Sequence, residues 1–144
     1  MPFVKPAILV LNGPNLNRLG LREPELYGAA TLADLEAHLR QTFPDQHLRF
    51  EQHNGEGALI DALHHADGVE TGGVVFNPGG YAHTSVALRD AIASISTPVL
   101  EVHITNVHAR EPFRHHSVLS AVCAGVIVGL GVEGYAHAVR HFAS

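Results

Sequence analysis

The sequence predicts an α/β fold, a five-stranded parallel sheet covered by helices on both faces. Three observations carry this. Short apolar runs alternate with stretches of helical period along the whole chain. The runs AILVLN, GVVFN and GVIVGL are apolar almost throughout rather than at every second position, as strands buried on both faces are. The length of 144 residues suits five such units around one core, whereas an eightfold barrel needs about 250. A flavodoxin-like doubly wound three-layer sandwich fits best, with residues 1–144 read as a single domain.

Each element has its own signal. Ala7–Asn12 reads as a buried strand. Thr31–Phe43 reads as a helix: Thr31 is a capping residue, Asp34 suits the first turn, and Leu32, Leu35, Leu39 and Phe43 share a face. Pro44 ends it. HLRFEQH at His47–His53 alternates like a second strand, and Gly57–Ala66 is a short helix. Gly73–Asn77 is a third strand, stopped by PGG. Thr84–Ser96 follows as a helix capped by Thr84 or Ser85, with Leu88, Ala91, Ile92 and Ile95 at i, i+3, i+4 and i+7. Pro98–Ile104 and Gly125–Leu130 are the last strands, and Tyr135–Phe142 is a closing helix.

Composition removes several functions. Net charge is −5 with scattered basic residues, which argues against nucleic acid or an anionic membrane as a partner. AILVL is too short for a membrane span or a signal-peptide core. The single cysteine, Cys123, has no pairing partner in the chain, so a reducing cytoplasm is expected. Twelve histidines invite a metal, but HExxH is missing and adjacent pairs such as His64–His65 diverge by about 100° on a helix. No metal is expected.

Ligands of such sheets bind outside the carboxyl ends of the strands, near the switch in strand order. After the first strand come Asn15, Arg18, Arg22 and Tyr27. After the third come Asn77, Gly79, Gly80 and His83. The fourth ends in Glu101 and His103, followed by Thr105, Asn106, His108, Arg110 and Arg114. Singly, these have ordinary explanations: NPGG is a turn signal, and a loop asparagine bonds its own backbone. Together they line one edge. Glu101 and His103, at i and i+2, share a face on which a buried glutamate needs a partner.

The arginines suit a small anionic substrate, yet there is no GxxxxGK[ST], and no GxGxxG leads into a helix. A receiver-type signalling module needs an acidic pair after the first strand, an aspartate ending the third and a lysine ending the fifth. Here stand Asn12, Asn77 and no lysine. The lone lysine, Lys5, precedes the first strand at the far end, so Schiff-base chemistry lacks a nucleophile. Ser85 lacks the nucleophile-elbow pattern. Acid–base chemistry by histidine and tyrosine remains, with Glu101 orienting an imidazole.

The stretches LNGPNLNRLGLREPELYG, FNPGGYAHTSVALRDA, PVLEVHITNVHAREPFRHHS and GVIVGLGVEGY closely resemble the type II 3-dehydroquinate dehydratases, collinearly from about Ile8 to the C-terminus. The resemblance implies a dodecamer, a tetramer of trimers. It implies reversible anti elimination of water from 3-dehydroquinate through an enolate, giving 3-dehydroshikimate in the shikimate pathway, without metal or organic cofactor. By the same resemblance Tyr27 is the base, Arg22 its neighbouring arginine and His103 the acid. Asn15 and Glu101 complete the catalytic set, Asn15 shaping the strand exit. Asn77 stabilises the enolate through an ordered water. His83, Arg114 and the backbone at Ile104 and Thr105 hold hydroxyls and carboxylate, with Gly79, Gly80 and Arg110 beside them. Asp90 reaches a neighbouring subunit's site. Thr105 stands where the family commonly has serine.

Physical chemistry supports these expectations. Free tyrosine is phenolate to only about one part in a thousand at neutral pH. A nearby guanidinium favours the phenolate, and Arg18 and Arg22 share the tyrosine's loop. Asp90 lies about 200° round its helix from Leu88, facing away from its own core. Gly13, Gly20 and Gly28 flank the loop and suggest a mobile lid.

Overall fold

The computed structural model describes residues 5–143. Strands β1 (Ala7–Asn12), β2 (Leu48–Gln52), β3 (Thr71–Asn77), β4 (Val99–His103) and β5 (Gly125–Val128) form one sheet in the order β2-β1-β3-β4-β5. All four pairings are parallel, and parallel neighbours need long crossovers. Helices α2 (Leu32–Thr42), α3 (Glu56–His65) and α4 (Val86–Ser94) supply three of them. Between β4 and β5 the chain instead makes three single 3₁₀ turns, at Val107–Ala109, Pro112–Arg114 and Ser120–Val122. Helix α5 (Glu133–Ala143) closes the chain, and a short helix α1 (Pro24–Tyr27) interrupts the loop after β1.

Side chains of β1 alternate between two cores, which is what makes the molecule three layers thick. Ile8 and Val10 pack with Val75, Leu35 and Leu39 of α2 and Val139 of α5. Leu9 and Leu11 pack with Phe76, Leu59 and Leu63 of α3 and Leu88 and Ile92 of α4. Leu39 and Leu63 are completely buried, so cutting either to alanine costs about 2–5 kcal/mol. The strand order reverses between β1 and β3, and that is the switch point where such sheets bind ligands.

Caps set the helix starts. Thr31 and Asp34 form a reciprocal capping box at α2, each side chain bonding the other's backbone N–H at 3.0–3.1 Å. At α4 the cap is Ser85, whose Oγ accepts from the Leu88 N–H at 3.0 Å and donates to Glu56. Thr84 is excluded because 3₁₀ turns over Gly79–His83 carry the chain into the helix. The strand expected to reach Leu130 stops at Val128, since Gly129 turns away at φ 85°.

Candidate active site

The ends of β1, β3 and β4 open on a pocket of about 150 Å³. Its lining includes Asn15, Arg22, Tyr27, Asn77, Gly79, Gly80, His83, His103, Ile104, Thr105, Arg110 and Arg114. Of the residues expected from sequence, Arg18, Asn106, His108, Glu101 and Asp90 do not line it. Glu101 is completely buried behind His103, and Asp90 is exposed on α4. Pro14, Leu16 and Val107 also line the pocket. They are apolar loop residues with no chemical signal of their own.

The strand exit is built by close backbone approach. Gly13 donates its N–H to the Asn77 carbonyl at 2.8 Å, and a Cβ on Gly13 would lie 2.7 Å from the Pro78 carbonyl oxygen. Packing, then, is the reason for glycine at 13. Asn15 is in the left-handed region at φ 69°, a conformation asparagine tolerates. Its N–H donates to Asn54 Oδ1 at 3.0 Å. Gly20 and Gly28, at φ 89° and 85°, bend the loop on either side of α1.

Helix α1 places Tyr27 in the pocket with its hydroxyl against two guanidinium groups. Arg110 Nη1 donates to it at 2.8 Å and Arg22 Nη2 at 3.2 Å. The same guanidiniums lie over the Tyr27 ring, their Cζ atoms 5.4 and 4.5 Å from its centroid. The Arg110 side chain is only 11 % exposed, which keeps its charge poorly screened. Arg110 also donates to Thr105 Oγ1 at 3.2 Å. The arginine expected beside Arg22 was Arg18, but Arg18 is exposed on the 3₁₀ turn Leu16–Arg18 and does not line the pocket.

His103 Nε2 lies 2.5 Å from Glu101 Oε2, and Ser120 Oγ donates to Glu101 Oε1 at 2.6 Å. Burial opposes ionisation of Glu101. The bonds from His103 and Ser120 outweigh it and hold the carboxyl below its ordinary range. An ionised Glu101 only accepts, so Nε2 carries a proton and Nδ1 is the remaining ring nitrogen. The His83 ring stacks on that of His103 with centroids 6.3 Å apart. Burial pushes the His83 imidazole below its usual range, despite the bond from its Nδ1 to the His116 carbonyl at 2.9 Å.

Asn77 is buried, and its Oδ1 accepts from the Gly79 N–H at 3.1 Å. Gly79 sits at φ 59°, where other residues are strained. Cys123 has its thiol pushed up to about 12 by burial and by the Glu101 charge, which makes it a poor nucleophile. Among the described residues no three histidine, cysteine, aspartate or glutamate side chains are grouped to hold a metal ion.

A tyrosine hydroxyl between guanidiniums and an imidazole backed by a carboxylate, at the switch point of a doubly wound sheet, define an acid–base enzyme for a small anionic substrate. The family model for Dehydroquinase class II matches residues 6–143, and the chain belongs to that family. It is 63% identical over 142 residues to a 3-dehydroquinate dehydratase of Bacillus pumilus, covering 96% of this chain and 95% of that one. It is 60% identical to a second from Anoxybacillus flavithermus, covering 91% and 89%. The crystal structure of type II dehydroquinase from Butyrivibrio crossotus superposes with a TM-score of 0.93 at 45% identity, covering 97% of this chain and 99% of that one.

Proposed function

We propose that this enzyme catalyses the reversible dehydration of 3-dehydroquinate to 3-dehydroshikimate, with Tyr27 as base and His103 as acid. The observation that carries the assignment is the pair of guanidinium groups on the Tyr27 hydroxyl. They stabilise a phenolate, which takes the proton α to the ketone. The electron pair left behind forms an enolate. When the enolate collapses, the bond to the β hydroxyl breaks, and that oxygen leaves as water with a proton from His103. Ionised Glu101, anchored by Ser120, compensates the charge of the doubly protonated ring. Asn77 faces the enolate oxygen through an ordered water, where one well-placed donor is worth about 10²–10³ in rate.

Arg114, His83 and the backbone at Ile104 and Thr105 hold the substrate's carboxylate and hydroxyls in this reading, with Gly79 and Gly80 leaving room for close approach. Asp90, exposed and not lining its own pocket, is read as a contact to a neighbouring subunit's site within a dodecamer. We read the chain as a single catalytic domain, of which residues 5–143 are described. No helix of the described residues is long and apolar enough to cross a membrane, and we place the enzyme in the cytoplasm.

The assay is direct. Purified protein mixed with 3-dehydroquinate generates a conjugated enone whose ultraviolet absorbance rises, and a chelator leaves the rate unchanged. No rise in absorbance would sink the assignment.

A further inference from the structure

Tyr135 lies on the first turn of α5, within the core between the sheet and helices α2 and α5, and is completely buried. Its hydroxyl is nevertheless bonded twice. It donates to Asn12 Oδ1 at 2.6 Å and accepts from Asn77 Nδ2 at 2.8 Å. Asn12 and Asn77 are register partners and the last residues of β1 and β3, so the hydroxyl ties together the two strand ends that flank the switch point. The helix is seated tightly for this. A Cβ on the neighbouring Gly134 would lie 3.3 Å from Ile127 and 3.5 Å from Val102.

This chain of bonds has a direction. An asparagine amide can present either its oxygen or its NH₂ to a hydroxyl, and the two ends look alike in shape. The Tyr135 proton is committed to Asn12, so the phenol oxygen only accepts from Asn77 and demands its NH₂. The Gly79 N–H only donates, so it demands the Asn77 oxygen at the other end. Two partners on opposite ends therefore leave the pocket-lining amide one orientation. Burial raises the Tyr135 phenol well above its usual range, so the proton stays in place at any working pH.

We infer that Tyr135 is a positioning residue: through the chain Asn12–Tyr135–Asn77 it holds the Asn77 amide in the orientation that meets the charge forming on the substrate. The inference rests on the reading of Asn77 as the group facing the enolate. Tyr135 touches no substrate. It acts from the buried core beneath the strand ends, linking the C-terminal helix to the chemistry.

A double-mutant cycle on the intact enzyme tests this, with kcat, KM and melting temperature measured for Tyr135→Phe, Asn77→Ala and the double variant. Asn77→Ala lowers kcat on the order of 10²-fold, as loss of one such donor does. Tyr135→Phe removes a single oxygen; it lowers kcat about tenfold or more while KM stays within about threefold, because the amide is loosened and the carboxylate contacts remain. In the Asn77→Ala background the same change is silent to within about twofold, since residues that act through one another are non-additive. An additive loss, or Tyr135→Phe with unchanged kcat, overturns the role of Tyr135 and leaves that of Asn77 standing. Asn77→Ala at full rate overturns both. Should Tyr135→Phe fail to fold, Asn12→Leu removes the acceptor while keeping the tyrosine. It is expected to slow the enzyme when Asn77 is present and to be silent when it is not; additivity there overturns the inference equally.

Discussion

Arg110 Nη1 lies 2.8 Å from the Tyr27 hydroxyl, a contact between residues 83 positions apart in the chain. Arg110 comes from the segment after β4 and Tyr27 from the loop after β1, so the sheet is what brings cation and phenol together. The guanidinium is nearly buried, its charge is permanent, and it donates to the hydroxyl proposed as the base.

Both arginines are therefore expected to matter for rate, and Arg110 more. Arg110→Ala should lower kcat on the order of 10²-fold and Arg22→Ala somewhat less, since the Arg22 contact is longer and more exposed. Steady-state kcat and KM for the two variants check this. A loss carried by KM alone, with kcat unchanged, would show that the arginines only bind substrate.

Glu101 gives a stability signature with a definite sign. Its folded-state carboxyl is held below the ordinary 4.5, so the ionised form stabilises the fold. That contribution is fully present above the unfolded value and is lost as the pH falls through the folded one. Glu101→Gln should remove this acid-side slope from a plot of unfolding free energy against pH and lower kcat about tenfold or more. Urea unfolding at a series of acidic pH values is the measurement, and an unchanged slope would count against the His103–Glu101–Ser120 arrangement.

Gly13→Ala tests the strand exit. The added methyl meets the Pro78 carbonyl oxygen, a backbone atom that cannot swing aside. Overpacking of this kind costs about 1–3 kcal/mol. A fall in melting temperature with reduced activity is expected, and a variant as stable as its parent would show that this crossing has slack.

Asp90 can be tested by mixing subunits. Asp90→Ala and Tyr27→Phe are each expected to be nearly inactive alone. If Asp90 completes a neighbour's site, hybrids formed by unfolding and refolding the two together regain activity at sites with intact Tyr27 and a neighbour with intact Asp90. Two inactive parents giving only inactive mixtures would contradict that placement.

Much of this architecture is legible in the sequence, for identifiable reasons. Strands buried on both faces leave unbroken apolar runs, and α2 carries both a capping box and an apolar stripe. Helix α1 left no such trace: four residues are too few to show a period, and its Glu23 entry is in the left-handed region. Arg18 and Arg22 are neighbours in sequence, yet the 3₁₀ turn sends Arg18 to solvent, and only the folded sheet shows that Arg110 takes the second place. Tyr135 reads in sequence only as the start of the closing helix. Its hydroxyl acquires a role only because Asn12 and Asn77 end in register above it.

The central claim is that the Tyr27 hydroxyl is the base, and Tyr27→Phe tests it most directly. Enone formation from 3-dehydroquinate should fall about 10³-fold, within the range typical of a lost acid–base group. Calorimetric binding of the substrate should change by no more than about threefold, because the carboxylate and hydroxyl contacts remain. A variant that binds normally and keeps most of its rate would contradict the account and require another group to take the proton.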